Sequence, residues 1–443
     1  MKGRLGVKKV LFTVLVISSA QNVIAGSNGL FIGANHTTGN IPSSFSIHVA
    51  SKNPAAASLA VSENNNFRFN YLPTVWNTYE LGEVDNFIDD LDELIDILDD
   101  PASVDEPIEE VLDRFNNVLV EMGESGYSKT SLGLTAPLSP FYYRAEFLDA
   151  TLFADFNYGA NIGMSILDDE LIYDSQNGKF ATNTSAYLKS GLETRLSAGL
   201  SKELATMGEE GKLKLYGGVK INFVRMELSK QIIALQQLNG EAIEDVVQDS
   251  YDQNMESTTN VGLDIGLMLQ APRYRAGLTI TDINSPTYNY GAIGVECDGF
   301  DPGSIERSNC DTAAYFIQVI GEIVSQEKHT RHALTTLDGV YSLTGRWSIS
   351  GEMEMAVYED IIGHENQWLT LATDYQTKSN WWPDWRAGFR KNMAGSELST
   401  VNIGLTFFSR LTLDGSWGLE SVVVDEVTVP RTFGFSVGFQ QKF

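Results

Sequence analysis

The final stretch of the chain alternates without a break. Phe433, Phe435, Val437, Phe439, Gln441 and Phe443 take one set of positions, and Gly434, Ser436, Gly438, Gln440 and Lys442 the other. A period of two places the sets on opposite faces of a strand. One face is apolar and aromatic, the other small or polar, and the chain ends on an aromatic residue. A strand with lipid on one side and a wet lumen on the other needs that arrangement. Phe439 and Phe443 are the positions at which a barrel assembly machinery would recognise such a terminal strand.

Alternation predicts about fourteen strands, an even number as bacterial single-chain barrels require. They are Phe67–Glu80, Ser128–Leu138, Phe147–Leu167, Thr184–Lys202, Lys212–Glu227, Met255–Gln270, Arg273–Ile283, Lys328–Thr344, Arg346–Glu359, Gln367–Lys378, Trp382–Lys391, Leu398–Ser409, Leu411–Val424 and Thr432–Phe443. In Arg346–Glu359 the outward set is Trp347, Ile349, Gly351, Met353, Met355 and Val357, against inward Ser348, Ser350, Glu352 and Glu354. Connections give an independent test. Ala271-Pro272, Gly345 and Ser409-Arg410 are short turns, whereas Val84–Tyr127, Asp168–Asn183, Leu228–Asn254 and Asn284–Glu327 are long and fall at the other end. Outer-membrane barrels alternate short periplasmic and long extracellular connections in this way.

The amino terminus adds an address. Lys2, Arg4, Lys8 and Lys9 precede the apolar run Val10–Ile17 and small residues up to Ala25, so residues 1–25 read as a secretory signal peptide. The run is too short to cross a bilayer as a helix. A formal charge of −27 excludes nucleic acid as a partner. Cys297 and Cys310 share one predicted loop and, in an oxidising compartment, are expected to form a disulfide.

Residues 26–66 are not strand-like, and they contain Asn53-Pro54-Ala55 followed by Ala56-Ala57-Ser58. Such a hatch motif ahead of about fourteen strands resembles the FadL-like outer-membrane transporters of hydrophobic compounds. Leu72-Pro73-Thr74-Val75-Trp76, the acidic stretch after it and Asn284-Ser285-Pro286-Thr287-Tyr288 resemble, more closely, the outer-membrane proteins labelled conjugal transfer protein TraF. A thioredoxin-like protein shares that label, but this chain has no Cys-x-x-Cys. The resemblance implies an N-terminal plug in which Asn53, Pro54 and Ala55 make a tight turn.

Val84–Gly123 departs from strand grammar. Leu91, Leu94, Leu98 and then Val111, Leu112, Phe115, Leu119 and Met122 recur at helical spacing, which predicts an amphipathic helical hairpin over 84–123 with an acidic outer face. No catalytic constellation stands out: His329 and His332 are three apart on one predicted strand and face opposite ways. No catalytic, cofactor or metal residues are assigned. Inward positions carry interspersed charges, among them Lys220, Asp264, Glu352, Glu354, Arg386, Arg390 and Asp414. Mixed signs suit mutual pairing in a plugged interior better than an ion-selective pore.

The expectation is therefore a monomeric outer-membrane antiparallel β-barrel of about fourteen strands, in contact with the bilayer and built by the assembly machinery. Residues 26–66 form the plug and 67–443 the barrel, with a helical insert at 84–123 and a long extracellular loop at 284–327. FadL-like binding or passive transport of a hydrophobic small molecule is the leading function, and a structural or interaction role in a surface apparatus such as conjugative transfer is the alternative.

Overall fold

The computed structural model describes residues 31–43, 46–62, 65–101, 106–208, 212–237, 251, 253–379, 381–425 and 427–439. The leader, residues 26–30 and Phe443 lie outside them. One antiparallel sheet closes on itself: each strand pairs with its neighbours in sequence, and the last pairs with the first, Val437 opposite Val75. Fourteen strands make the ring. They are β1 (Phe67–Phe69 with Val75–Leu81), β2 (Tyr127–Thr135 with Phe141–Ala145), β3 (Ala150–Leu167), β4 (Ser185–Met207), β5 (Leu213–Ala234), β6 (Glu256–Gln270) and β7 (Tyr274–Thr281). Then follow β8 (Leu334–Ser342), β9 (Trp347–Glu354), β10 (Trp368–Tyr375), β11 (Asp384–Asn392), β12 (Ser399–Phe407), β13 (Leu411–Gly418) and β14 (Thr432–Phe439). Closure removes every sheet edge, which hydrocarbon requires. Among the described residues no helix is long and apolar enough to cross a membrane.

The predicted alternation is the observed one. Trp347, Ile349, Met353, Val219, Ile221 and Phe223 stand exposed on the outer surface, while Ser348, Glu352, Glu354, Lys220 and Asn222 are buried within. Prolines account for two departures. The expected strands Phe67–Glu80 and Ser128–Leu138 are each interrupted or shortened, at Asn70–Thr74 and after Thr135, where Pro73, Pro137 and then Pro140 have no N–H to give a ladder. Side chains take over part of that pairing: Thr74 N donates to Thr135 Oγ1 at 3.0 Å and Phe156 N to Ser139 Oγ at 2.7 Å.

Other expected strands end early because their tails pair elsewhere. Lys328–Thr330 pairs with Thr287–Asn289, Tyr358-Glu359 with Glu365-Asn366, and Ser421–Val424 with Val427–Pro430, all outside the barrel ladder. His329 lies in the first of these small hairpins and His332 beyond it, not on one strand as expected. Where β7 stops, Asn284 stands in for a strand. Its Oδ1 accepts from Leu263 N at 2.9 Å and its Nδ2 donates to Val261 O at 2.6 Å.

The wall is uneven. β4 and β5 run for 23 and 22 residues, whereas β7 has 8, and about 9–11 suffice to cross a bilayer. The surplus rises at the end with the long connections. Helices α2 (Phe87–Asp99) and α3 (Ile108–Ser125) pack against it, with Leu91, Leu94, Phe115, Leu119 and Met122 buried on Ile166, Phe180, Leu188 and Ile233. Helical spacing put these apolar residues on one face, and the tall wall is what they cover. The acids Asp89, Glu93, Glu109, Glu110 and Asp113 remain on the other faces, where Arg114 pairs with Glu93 at 2.9 Å.

Candidate functional site

The N-terminal segment lies inside the ring. Its first described helix, α1 (Asn35–Thr38), touches β10 to β13, and the 3₁₀ turn Pro54–Leu59 touches β3 to β6, on the half of the barrel with short connections. Asn53 opens that turn by accepting Ala55 N at 3.0 Å, and its Nδ2 donates to Leu267 O at 3.2 Å on the wall. Pro54 occupies the first position of the turn, where a missing N–H is harmless. Ala55, Ala56 and Ala57 are wholly buried. The fit depends on glycine in the wall: a Cβ on Gly218 would stand 2.3 Å from Ala55 N, and one on Gly388 2.1 Å from Thr37 O.

Charges fasten the segment to the wall. Lys52 Nζ reaches Glu354 at 2.7 Å and Glu352 at 3.0 Å, all three buried. Lys220 Nζ donates to Ser51 O at 2.7 Å while pairing with Asp264 at 2.9 Å. Thr37 Oγ1 donates to Asp414, which Arg386 also holds through both carboxylate oxygens at 3.1 and 3.0 Å. Buried charges persist only when paired and hydrogen-bonded, and these are. Lys220, Asp264, Glu352, Glu354, Arg386 and Asp414, expected to face inward, thus meet one another or the plug segment.

A loop also enters the ring from the opposite end. Between β9 and β10 the loop of residues 355–367 bends into the ring. Ile361 and Ile362 are buried against Val224, Met226, Tyr288 and Tyr290, inward apolar positions high on the wall and in the neighbouring loop. Each isoleucine sits over a glycine: a Cβ on Gly191 would be 2.4 Å from Ile361 Cδ1, and one on Gly163 2.6 Å from Ile362 Cδ1. Asp360 organises the turn, accepting from Ile362 N at 3.1 Å and His364 N at 2.9 Å, and it pairs with Lys129 of β2 at 2.6 Å. Burial alone would raise the Asp360 carboxyl; the Lys129 ammonium outweighs it and holds the group below its ordinary range. Burial likewise lowers His364, with Lys129 adding to the effect, so the ring is neutral at neutral pH.

Between the N-terminal segment and this loop lies a chamber of about 90 Å³. At about 10–15 Å³ per water, it has room for roughly six to nine waters. Phe31 and His36 of the plug segment, Trp76 and Thr78 of β1, Tyr358 and Asp360 of the loop, and Trp368, Arg390 and Ser416 of the wall line it. Phe31 meets Trp368 edge to face at 6.0 Å, and the Arg390 guanidinium lies 3.7 Å from the Phe31 ring centre. The lining is rich in donors that have nothing to donate to. Arg390 Nε and Nη2 and Trp76 Nε1 are buried with no protein partner, while His36 Nε2 contacts Ser416 Oγ at 3.1 Å.

Of the residues singled out from the sequence, Asn53, Pro54 and Ala55 sit at the plug–wall contact rather than in this chamber. Phe439 pairs with Leu411 at the end of β14. A disulfide joins Cys297 to Cys310 of helix α4 (Ile305–Tyr315) in the long loop between β7 and β8. Among the described residues no group of three or more His, Cys, Asp or Glu side chains is placed to hold a metal ion. Sequence reasoning passed over Phe31, His36 and Trp76. Trp76 lay in a quoted motif, and its inward position against outward Val75 was the available signal.

The family model described as F plasmid transfer operon, TraF, protein matches residues 50–354, well over half of the chain. The chain belongs to this TraF family. The match runs from the plug segment through β9, and so takes in Asn53-Pro54-Ala55, the helical hairpin and the Asn284 motif. No curated protein matches this TraF-family chain. Solved structures similar to it include the toluene transporter TbuX of Ralstonia pickettii, at 12% identity over 94% of this chain and 99% of that one, with a TM-score of 0.44. A Pseudomonas aeruginosa FadL homologue is similar at 12% identity over 94% and 99%, with a TM-score of 0.39. The P. putida toluene transporter TodX is similar at 12% over 88% and 92%, with a TM-score of 0.41. A closed barrel with an outward apolar surface and alternating short and long connections is an outer-membrane architecture, and this TraF-family protein is a bacterial outer-membrane barrel.

Proposed function

We propose that the protein is a gated outer-membrane channel that binds a small, largely hydrophobic molecule in its lumen and lets it pass. One observation carries this reading: an aromatic-lined chamber lies inside the ring between the N-terminal segment and the inward loop. A purely structural barrel has no need of such a space. Residues 26–66 act as the plug on the periplasmic side, and residues 355–367 as the outer gate. Exposed apolar residues on the strands meet lipid, and the protein works as a monomer without catalysis. Export by the leader at 1–25 and recognition of the terminal Phe443 by the assembly machinery bring it to the membrane. Planar-bilayer recording tests the gate. Deleting Ser27–Asn66 is expected to raise single-channel conductance well above that of the intact protein, and equal conductance would end the plug reading.

The family match favours a second reading, a structural or interaction part of a conjugative surface apparatus. The acidic hairpin α2–α3 is the surface it would use. Mating assays separate the two readings. Loss of transfer on deletion of the gene, restored in full by a form with the plug locked shut, supports the apparatus role and not the channel.

A further inference from the structure

We infer that the chamber is a binding site for a small aromatic carboxylate, with Arg390 holding the carboxylate and the ring lying among Phe31, Trp76 and Trp368. This rests on the reading of the chamber as a solute site and gives that solute a chemistry. The argument begins with the donor count. Arginine and tryptophan side chains donate and cannot accept, and Arg390 Nε, Arg390 Nη2 and Trp76 Nε1 are buried without an acceptor. Both residues are more than nine-tenths buried and line the same space. A buried guanidinium without an acceptor is costly, and a carboxylate satisfies it through two parallel N–H···O bonds.

The chamber's own carboxylates are engaged, Asp360 by Lys129 at 2.6 Å and Glu80 by the Tyr127 hydroxyl at 2.7 Å. Asp414 is held by Arg386 and Thr37, and Glu352 by Lys52 through Oε1. Glu352 Oε2 is also without a partner, but it lies 2.8 Å from where a Cβ on Gly39 of the plug would stand. An inorganic anion would use the guanidinium and leave the aromatic lining idle. A hydrocarbon would use the rings and leave the donors unmet. A single-ring carboxylate uses both the rings and the donors that line this space. The Phe31 ring already stacked at 3.7 Å on Arg390 keeps the guanidinium plane fixed for such pairing.

The test is calorimetry and tryptophan-fluorescence titration of the full-length protein in detergent, with benzoate, benzamide, toluene and acetate as probes. Benzoate should bind saturably, and each of the other three about tenfold more weakly or worse. Arg390→Gln should weaken benzoate by about tenfold or more while leaving toluene unchanged. Trp76→Phe, which keeps a ring and deletes one N–H, should weaken benzoate about three- to tenfold and guards against a folding defect in the first variant. Equal affinity for benzoate and toluene, or undiminished benzoate binding by Arg390→Gln, overturns the carboxylate assignment and leaves the channel reading standing. If no probe binds, the assignment falls, and bilayer conductance after plug deletion then decides separately whether the channel reading survives.

Discussion

Lys52 of the plug segment sits 2.7 Å from Glu354 and 3.0 Å from Glu352 of β9, in a setting almost free of solvent. Removing one partner of such a buried cluster leaves uncompensated charge and typically costs about 3–5 kcal/mol. Lys52→Met is therefore expected to loosen the plug without unfolding the barrel. Heat-modifiable migration should be kept, while the segment becomes open to protease and bilayer current rises. An unchanged digestion pattern would show that the other anchors suffice.

The glycines under the plug make a steric prediction. A Cβ at Gly218 would press on backbone, 2.3 Å from Ala55 N, where no side-chain rotation gives relief. Gly218→Val should displace the Pro54–Leu59 turn at about 1–3 kcal/mol, visible as faster amide exchange across that turn. Retention of wild-type exchange there would contradict the close fit.

Outer-gate seating should weaken in two steps as pH falls. Asp360 has its carboxyl held below the ordinary value, so its contribution is fully present above about pH 4 and is lost as pH falls through the lowered value. With His364 in the same loop buried neutral, protection of residues 358–364 should fall as pH drops below about 6.5 and that ring gains a proton, and fall further below about pH 4 as Asp360 is protonated. Lys129→Met should remove it at neutral pH, since it breaks a buried pair worth about 3 kcal/mol. Protection that stayed level from pH 8 to pH 5 would show that the neutral His364 ring does not control seating.

The Cys297–Cys310 bridge, with a sequence separation of 13, constrains the unfolded loop by about 3 kcal/mol in the chain-entropy account. Serine at both positions should increase proteolysis within residues 290–327 and leave the barrel band intact. Mass mapping of protein from cells that found two free thiols would remove the basis for this expectation.

Alternation along the chain determined the fourteen-strand barrel, because a period of two is a local property that lipid outside and water inside impose on every crossing. Helical spacing in 84–123 marked the two helices Phe87–Asp99 and Ile108–Ser125 for the same reason, and the inward direction of Lys220, Glu352, Arg386 and Arg390 followed from strand phase alone. Where the strands stop was only half legible. Pro73, Pro137 and Pro140 mark the breaks, yet Lys328–Thr330 keeps its alternation while pairing outside the wall, since a strand pattern does not name its partner. Tertiary structure alone decided that Lys52 meets Glu352 and Glu354, that Ile361 and Ile362 fill the dimples at Gly191 and Gly163, and that Phe31, Trp76 and Arg390 share one chamber. Their separations along the chain exceed any local period. Ring closure, strand stagger and the path of the plug fix which inward side chains stand at the same height.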